Sequence, residues 1–329
     1  MDEAPGWAKA TFDADGPTFV ETIGFADLRT RAPIEPTTRF RWFSTTKLVT
    51  AVATLRLVEA GRLGLDDDVR DRLEWFRPTA RVTVRHLLSH ASGLADPNAT
   101  GWVQPPGWAL RSPCELTRSL FARHRRLRSR PGDVAHYTNL GYLVLGELVG
   151  AIEGSYEAAA LEVLARAGAR TASFDPAETA RGHEALRSAR TLVMAALFNA
   201  RTPGLVAYVA DGWVGLTPFE IEGRAYGGLV GSIEDLVALG RGLLVPGVLL
   251  ESDTLAAMRT RTSRGPRGEH GLGFWFHGDG WVGHGGEAGG YRAEVHLSPE
   301  GDRGVAVLVN AGDAPSGRVV EALKPRRAR

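Results

Sequence analysis

Cysteine is nearly absent from this chain: Cys114 is the only one in 329 residues. No intramolecular disulfide can form, and no cysteine cluster can hold a metal. Long apolar runs are missing too. No stretch of about 18 apolar residues occurs, so no transmembrane helix is expected. The opening residues MDEAPGWAKATF include acidic side chains and no apolar stretch of signal-peptide length, from which a cytoplasmic protein is expected. Net charge is close to zero, with 39 basic and 38 acidic residues leaving +1. Such balance argues against nucleic acid or an anionic membrane as the main partner. The basic runs at Arg123–Arg130 and in the terminal KPRRAR read as solvated surface. No solenoid or propeller repeat is visible.

What is present is a change of pattern along the chain. Two extended segments, Trp7–Asp13 and Thr18–Gly24, flank the turn Ala14-Asp15-Gly16. From Thr45 to Glu59, Leu48, Val49, Val52, Leu55 and Val58 recur at helical spacing, and Gly61 follows as a stop. Further helices are expected at Thr83–Ala91, Glu115–Arg125, Leu140–Gly150, Tyr156–Ala167, Glu184–Asn199 and Ile233–Leu244. The connection from Gly93 to Pro113 is longer than ordinary loops, which suggests a functional or domain-edge segment. The last third reads as strands at Gly271–Phe276, Gly280–Gly283, Tyr291–Leu297 and Gly304–Asn310, with a closing helix at Gly317–Leu323. Strands at both ends with helices between them predict an α+β fold. Its antiparallel sheet is built from both termini and flanked by helices, with an inserted, mainly helical lobe. Residues 1–48 with 268–329 would form the sheet lobe and 49–267 the helical lobe, with the ligand site in the cleft between them.

Three short stretches carry chemistry. In RWFSTTKLVT, Lys47 falls in the first turn of a helix, where the macrodipole disfavours a cation. Ser44 lies three residues earlier, on the same helix face. Serine needs an adjacent base to act as a nucleophile. Burial and a positive helix end both lower a lysine pKa, so a place poor for stability suits a neutral amine. The bland alternative makes Ser44 an N-cap, with Phe43 and Leu48 as a hydrophobic staple. In HYTNLGYLVLGELVG, Tyr137 and Asn139 precede an apolar helix. A phenol beside a lysine cation ionises more easily and can act as base or proton shuttle, while Asn139 offers a donor and an acceptor. The alternative is a half-buried loop tyrosine and an asparagine cap. In GWVGHGGEAGGY, glycines let a strand edge approach a ligand and aim N–H groups at an oxyanion. His284 there could hydrogen-bond a substrate carboxylate or carbonyl. A plain glycine-rich turn is the alternative, and no β-α-β unit follows that would support dinucleotide binding. His86 and His90 are four apart but lack the glutamate of H-E-x-x-H, so a structural role is expected of both.

Together, in this order, Ser-x-x-Lys, Tyr-x-Asn and His-Gly-Gly resemble the serine β-lactamase-like family. The similar branch contains the class C β-lactamases, D-aminopeptidases and related carboxylesterases. The resemblance also runs through VTVRHLLSHASGL, PGDVAHYTNLGYLVLGELV, GGLVGSIEDLVALG, GLGFW and GVAVLVNAG, and so covers nearly the whole chain. It implies that Ser44 is the acylated nucleophile, Lys47 its base and Tyr137 the second proton-transfer residue. Asn139, His284, Gly285, Gly286 and Glu287 would contact substrate, with the Ser44 and Glu287 backbone N–H groups as oxyanion hole. Glu287 is read equally well as a solvated loop residue. Trp102, Trp108, Trp213 and Tyr226 are candidates for the acyl pocket, or simply packed aromatics.

The departures from the family narrow the expectation. His284-Gly285-Gly286 stands where many penicillin-recognising members carry Lys-Thr-Gly, so a fixed cation for a β-lactam carboxylate is missing. The amino-terminal segment is short for the family, so an early helix over the sheet is not expected. The leading expectation is a serine hydrolase that forms an acyl-enzyme on small or medium acyl esters, using no cofactor and no metal. Its partner would be a small-molecule ester, amide or β-lactam. Acyltransferase, D-amino-acid amidase or weak β-lactamase activity would use the same residues, and a non-catalytic binding protein is the reading from another class.

Overall fold

The structure of the chain is a computed structural model, and it describes residues 4–97, 102–104, 107–186, 203–312, 314 and 316–324. Nine strands build the main sheet. Three come from the amino-terminal end: β1 (Gly6–Asp13), β2 (Pro17–Asp27) and β3 (Ala32–Pro33). Six come from the last third: β4 (Ser263–Gly265), β5 (Gly268–His270), β6 (Trp275–Phe276), β7 (Val282–Ala288), β8 (Tyr291–Leu297) and β9 (Arg303–Val309). Their order in space is β4-β5-β6-β7-β8-β9-β1-β2-β3, antiparallel throughout. The two ends of the chain meet where β9 pairs with β1, Trp7 opposite Val309 and Asp13 opposite Arg303. An antiparallel sheet drawn from both termini is therefore the observed architecture.

Among the described residues the helices are α1 (Thr46–Glu59), α2 (Val84–Leu88), α3 (Pro113–Arg123), α4 (Asn139–Glu153), α5 (Tyr156–Ala167), α6 (Arg224–Gly227), α7 (Ile233–Gly242), α8 (Ser252–Met258) and α9 (Ser316–Leu323). Alternation along β9 divides the core between the two sheet faces. Ala306 and Leu308 join the large core, while Val305, Val307 and Val309 pack with Trp7 and with Val319 and Val320 of α9. Helix α1 is buried nearly all round, Thr46, Lys47, Thr50 and Thr54 included, as befits a helix at the centre of a domain.

Three expectations need correction. Helix α2 ends at Leu88, three residues early, because His90 adopts a left-handed φ of +57° that no helix continues through. Of the strand expected at Gly271–Phe276 only Trp275–Phe276 (β6) forms, because Gly273 at φ +96° turns the chain between β5 and β6. Of the helix expected at Glu184–Asn199, residues 187–199 lie outside the described ones, and Glu184 belongs to a strand, His183–Ala185. That strand pairs with Trp213–Leu216, which pairs in turn with Val206–Ala210. The Asp211-Gly212 turn between these last two has both φ values positive, the two-residue hairpin signature.

Candidate active site

Ser44 does not cap helix α1. It lies in a 3₁₀ turn, Phe43–Thr45, ahead of the helix, and no side chain caps the α1 start. Phe43 is forced to φ +43°, a conformation that costs an ordinary side chain about 1–3 kcal/mol. The surroundings hold it there. Trp42 N–H donates to Leu229 O at 3.0 Å, and its indole donates to Gly231 O at 3.2 Å. Thr45 Oγ1 donates to Ala293 O on β8 at 3.0 Å. The Phe43 ring is packed between Phe219 and Tyr291, each 6.3 Å away. The strain turns the half-buried Ser44 hydroxyl toward Lys47 instead of the helix backbone.

Lys47 is fully buried. Its Nζ donates to Asn139 Oδ1 at 2.8 Å and to Tyr226 O at 2.9 Å, and lies 3.0 Å from Ser44 Oγ. The first two partners can only accept. A neutral amine therefore spends both N–H bonds on them and aims its lone pair at the serine hydroxyl. The faces of Tyr137, Tyr226 and Tyr142 lie 4.9, 5.3 and 5.6 Å from Nζ. Aromatic faces favour the ammonium by about 1–2 kcal/mol, whereas complete loss of hydration costs a charge several kcal/mol. Desolvation wins. Burial holds the Lys47 amine well below its ordinary value, against the opposing charge of Asp96.

Tyr137 is brought to the other side of the serine, within hydrogen-bonding reach of its side chain. Its ionisation differs from the sequence expectation. Burial pushes the phenol up, outweighing the Arg267 guanidinium 5.4 Å from its ring, and a neutral Lys47 adds no second cation to favour the phenolate. Tyr137 therefore rests as a proton donor. Asn139 opens α4: its backbone N–H donates to Asp96 Oδ1 at 2.8 Å, while Thr138 Oγ1 accepts from Leu140 N–H at 3.1 Å. Asp96, unnoticed in the sequence, thus places the amide that holds Lys47.

Strand β7 forms the opposite wall. Strand β6 pairs with it only at Val282 and Gly283, so from His284 to Ala288 its ladder runs to β8 alone. Gly286 presses on the serine turn: a Cβ there would stand 2.1 Å from Trp42 O and 2.6 Å from Ser44 N. Gly285 faces the other way, toward Glu294. So does Glu287, an exposed side chain paired with Arg292 at 2.5 Å. His284 is buried, with its Nδ1 2.8 Å from Gly285 O. A carbonyl only accepts, so Nδ1 carries the proton and Nε2, which has no partner, presents a lone pair. Burial keeps this ring neutral, holding its pKa well below the ordinary range. His284 therefore has no proton to donate to a carboxylate or carbonyl, and its unpartnered Nε2 is itself sealed beneath the surface.

Of the four candidate pocket aromatics, Tyr226 borders Lys47, and Trp102 packs edge to face on Tyr226 at 5.0 Å. Trp108 is exposed, and Trp213 sits by His183 in the small sheet. His86 and His90 are not a metal pair. The His86 ring accepts from Thr83 N–H at 3.2 Å, completing the α2 capping box, and His90 packs on Tyr137 at 4.4 Å. The backbone acceptor Tyr226 O had no signal in the sequence, because any residue supplies a carbonyl.

Over 177 residues the chain is 33% identical to esterase EstB of Burkholderia gladioli, a match covering 48% of this chain and 44% of EstB. Over 132 residues it is 29% identical to Protein flp of Staphylococcus aureus strain N315, covering 38% of this chain and 26% of that protein. These curated relatives are thus matched over less than half their length. The octameric penicillin-binding protein homologue from Pyrococcus abyssi superposes with a TM-score of 0.79 at 26% identity, covering 97% of this chain and 72% of that one. The family model described as Beta-lactamase matches residues 1–326. With that match spanning both the serine turn and the glycine strand, the chain belongs to the Beta-lactamase family of serine hydrolases.

Proposed function

We propose that the chain is an esterase acting on small or medium acyl esters through an acyl-enzyme on Ser44. The observation that carries this reading is the Lys47 amine, tied by two pure acceptors so that its lone pair points at Ser44 Oγ, 3.0 Å away. Lys47 takes the Ser44 proton as Oγ bonds to the acyl carbon. The oxyanion would be met by the Ser44 and Glu287 N–H groups, each donor worth about 10²–10³ in rate. Tyr137 gives its phenolic proton to the leaving alkoxide as the C–O bond breaks, and recovers one from the Lys47 ammonium. Water then repeats the cycle and releases the acid. The cleft would lie between a sheet lobe of residues 1–48 with 268–329 and a helical lobe of 49–267. A neutral His284 offering only an acceptor, with no cation beside it on β7, supports ester substrates over carboxylate-bearing β-lactams. The esterase relative supports the same preference.

The test pairs p-nitrophenyl butyrate hydrolysis with intact-mass detection of a fluorophosphonate adduct. Ser44→Ala should lose at least about 10³-fold in kcat/KM and all of the adduct. Equal rates for the variant and the wild type would remove Ser44 from the reaction.

A further inference from the structure

We infer that His90 is a positioning residue that locks the Tyr137 phenol against Ser44. The inference rests on the reading of Tyr137 as leaving-group proton donor. His90 grips the chain on both sides of that tyrosine. Its carbonyl accepts from His136 N–H at 2.8 Å, and its Nδ1 accepts from Thr138 N–H at 3.3 Å. Its ring lies under the Tyr137 ring, centroids 4.4 Å apart and planes 35° apart. The neighbouring backbone continues the dock: Gly132 N–H donates to Ala91 O at 2.8 Å and Arg128 N–H to Gly93 O at 2.7 Å. Behind His90, Tyr142 and His270 stand 5.0 and 5.1 Å away, and Tyr142 is itself tied by its hydroxyl to Leu88 O at 3.1 Å. The imidazole cannot tilt, so the phenol above it cannot either.

Stability alone would not choose histidine here. The left-handed φ of +57° favours glycine or asparagine. Because Nδ1 accepts, the ring proton is on Nε2, which is sealed from water without a partner. A buried orphan donor is destabilising. Asparagine would keep an acceptor near the Nδ1 position and suit the backbone, with its shorter amide N–H groups in place of the buried Nε2–H. What asparagine lacks is the ring under Tyr137.

The experiment compares two esters of the same acid, one p-nitrophenyl and one ethyl, in wild type, His90→Asn and Tyr137→Phe. The nitrophenolate leaves without a proton, whereas the ethoxide needs one. For His90→Asn, kcat/KM on the p-nitrophenyl ester should stay within about threefold of wild type, while the ethyl ester falls by about 10²-fold, the usual scale of general acid catalysis. Tyr137→Phe should show the same discrimination, more strongly. Because both esters are read on one preparation, their ratio does not depend on the folded fraction. An unchanged ratio in His90→Asn beside a changed ratio in Tyr137→Phe overturns the role given to His90. An unchanged ratio in Tyr137→Phe overturns the proton-donor reading and the inference resting on it.

Discussion

At the scale of single residues, the site is built from positions that ordinary stability would avoid. Phe43 is strained, Lys47 is dry, and Gly286 touches backbone where any side chain would collide. The two glycines of the His-Gly-Gly stretch look alike in sequence and differ in consequence. A Cβ at 286 meets Trp42 O and Ser44 N, which are backbone and cannot yield, so Gly286→Ala must push the serine turn away from β7. Overpacking of this kind costs about 1–3 kcal/mol. It should lower kcat/KM by more than about 10²-fold, the loss of one oxyanion donor. A Cβ at 285 meets only the Glu294 side chain at 3.5 Å, an ordinary contact, so Gly285→Ala should hydrolyse esters at the wild-type rate. Steady-state kinetics of the two variants would decide; equal activities would show that β7 does not abut the nucleophile.

At the scale of elements, caps and staples hold the helices around the site. Asp235, buried in the first turn of α7, accepts from Ser232 N–H at 2.9 Å and from Arg170 and Thr171 N–H at 2.7 and 3.1 Å, besides the hydroxyls of Ser232 and Thr171. It joins α7 to the loop after α5. Asp235→Ala leaves these donors without their acceptor, each at about 1–3 kcal/mol. Urea denaturation should therefore show a loss of at least about 3 kcal/mol. Glu162→Ala, which removes an exposed i,i+4 pair with Arg166 and a looser one with Arg56 at 3.8 Å, should cost under about 1 kcal/mol. Similar midpoints for the two variants would contradict the staple. Most of these elements were legible: helices expected at Glu115–Arg125, Leu140–Gly150, Tyr156–Ala167 and Ile233–Leu244 are present as α3, α4, α5 and α7. The end of α2 was not, because His90 reverses the chain to serve the Tyr137 loop, a partner 46 positions onward.

At the scale of the whole molecule, buried histidines tie stability to pH. Burial pushes His270 down to about 4, and holds His90 and His284 well below the ordinary 6.5. The folded state keeps these rings neutral while the unfolded chain protonates them below about pH 6.5. Stability should thus be full above that pH and fall as the medium acidifies toward pH 4, by up to about 1.4 kcal/mol per pH unit for each ring. Urea midpoints at pH 7.5, 6 and 5 would measure this, and a flat series would refute it. The sequence by itself determined the sheet drawn from both ends, most of the helices and the three stretches of the candidate site, because periodicity, turn residues and residue chemistry are local. Only the tertiary structure decided that Lys47 is dry, that Tyr137 keeps its proton, and that His284 offers a lone pair instead of a charge. Each of those states is set by neighbours far apart in the chain, which exclude water or fix a tautomer only once packed together.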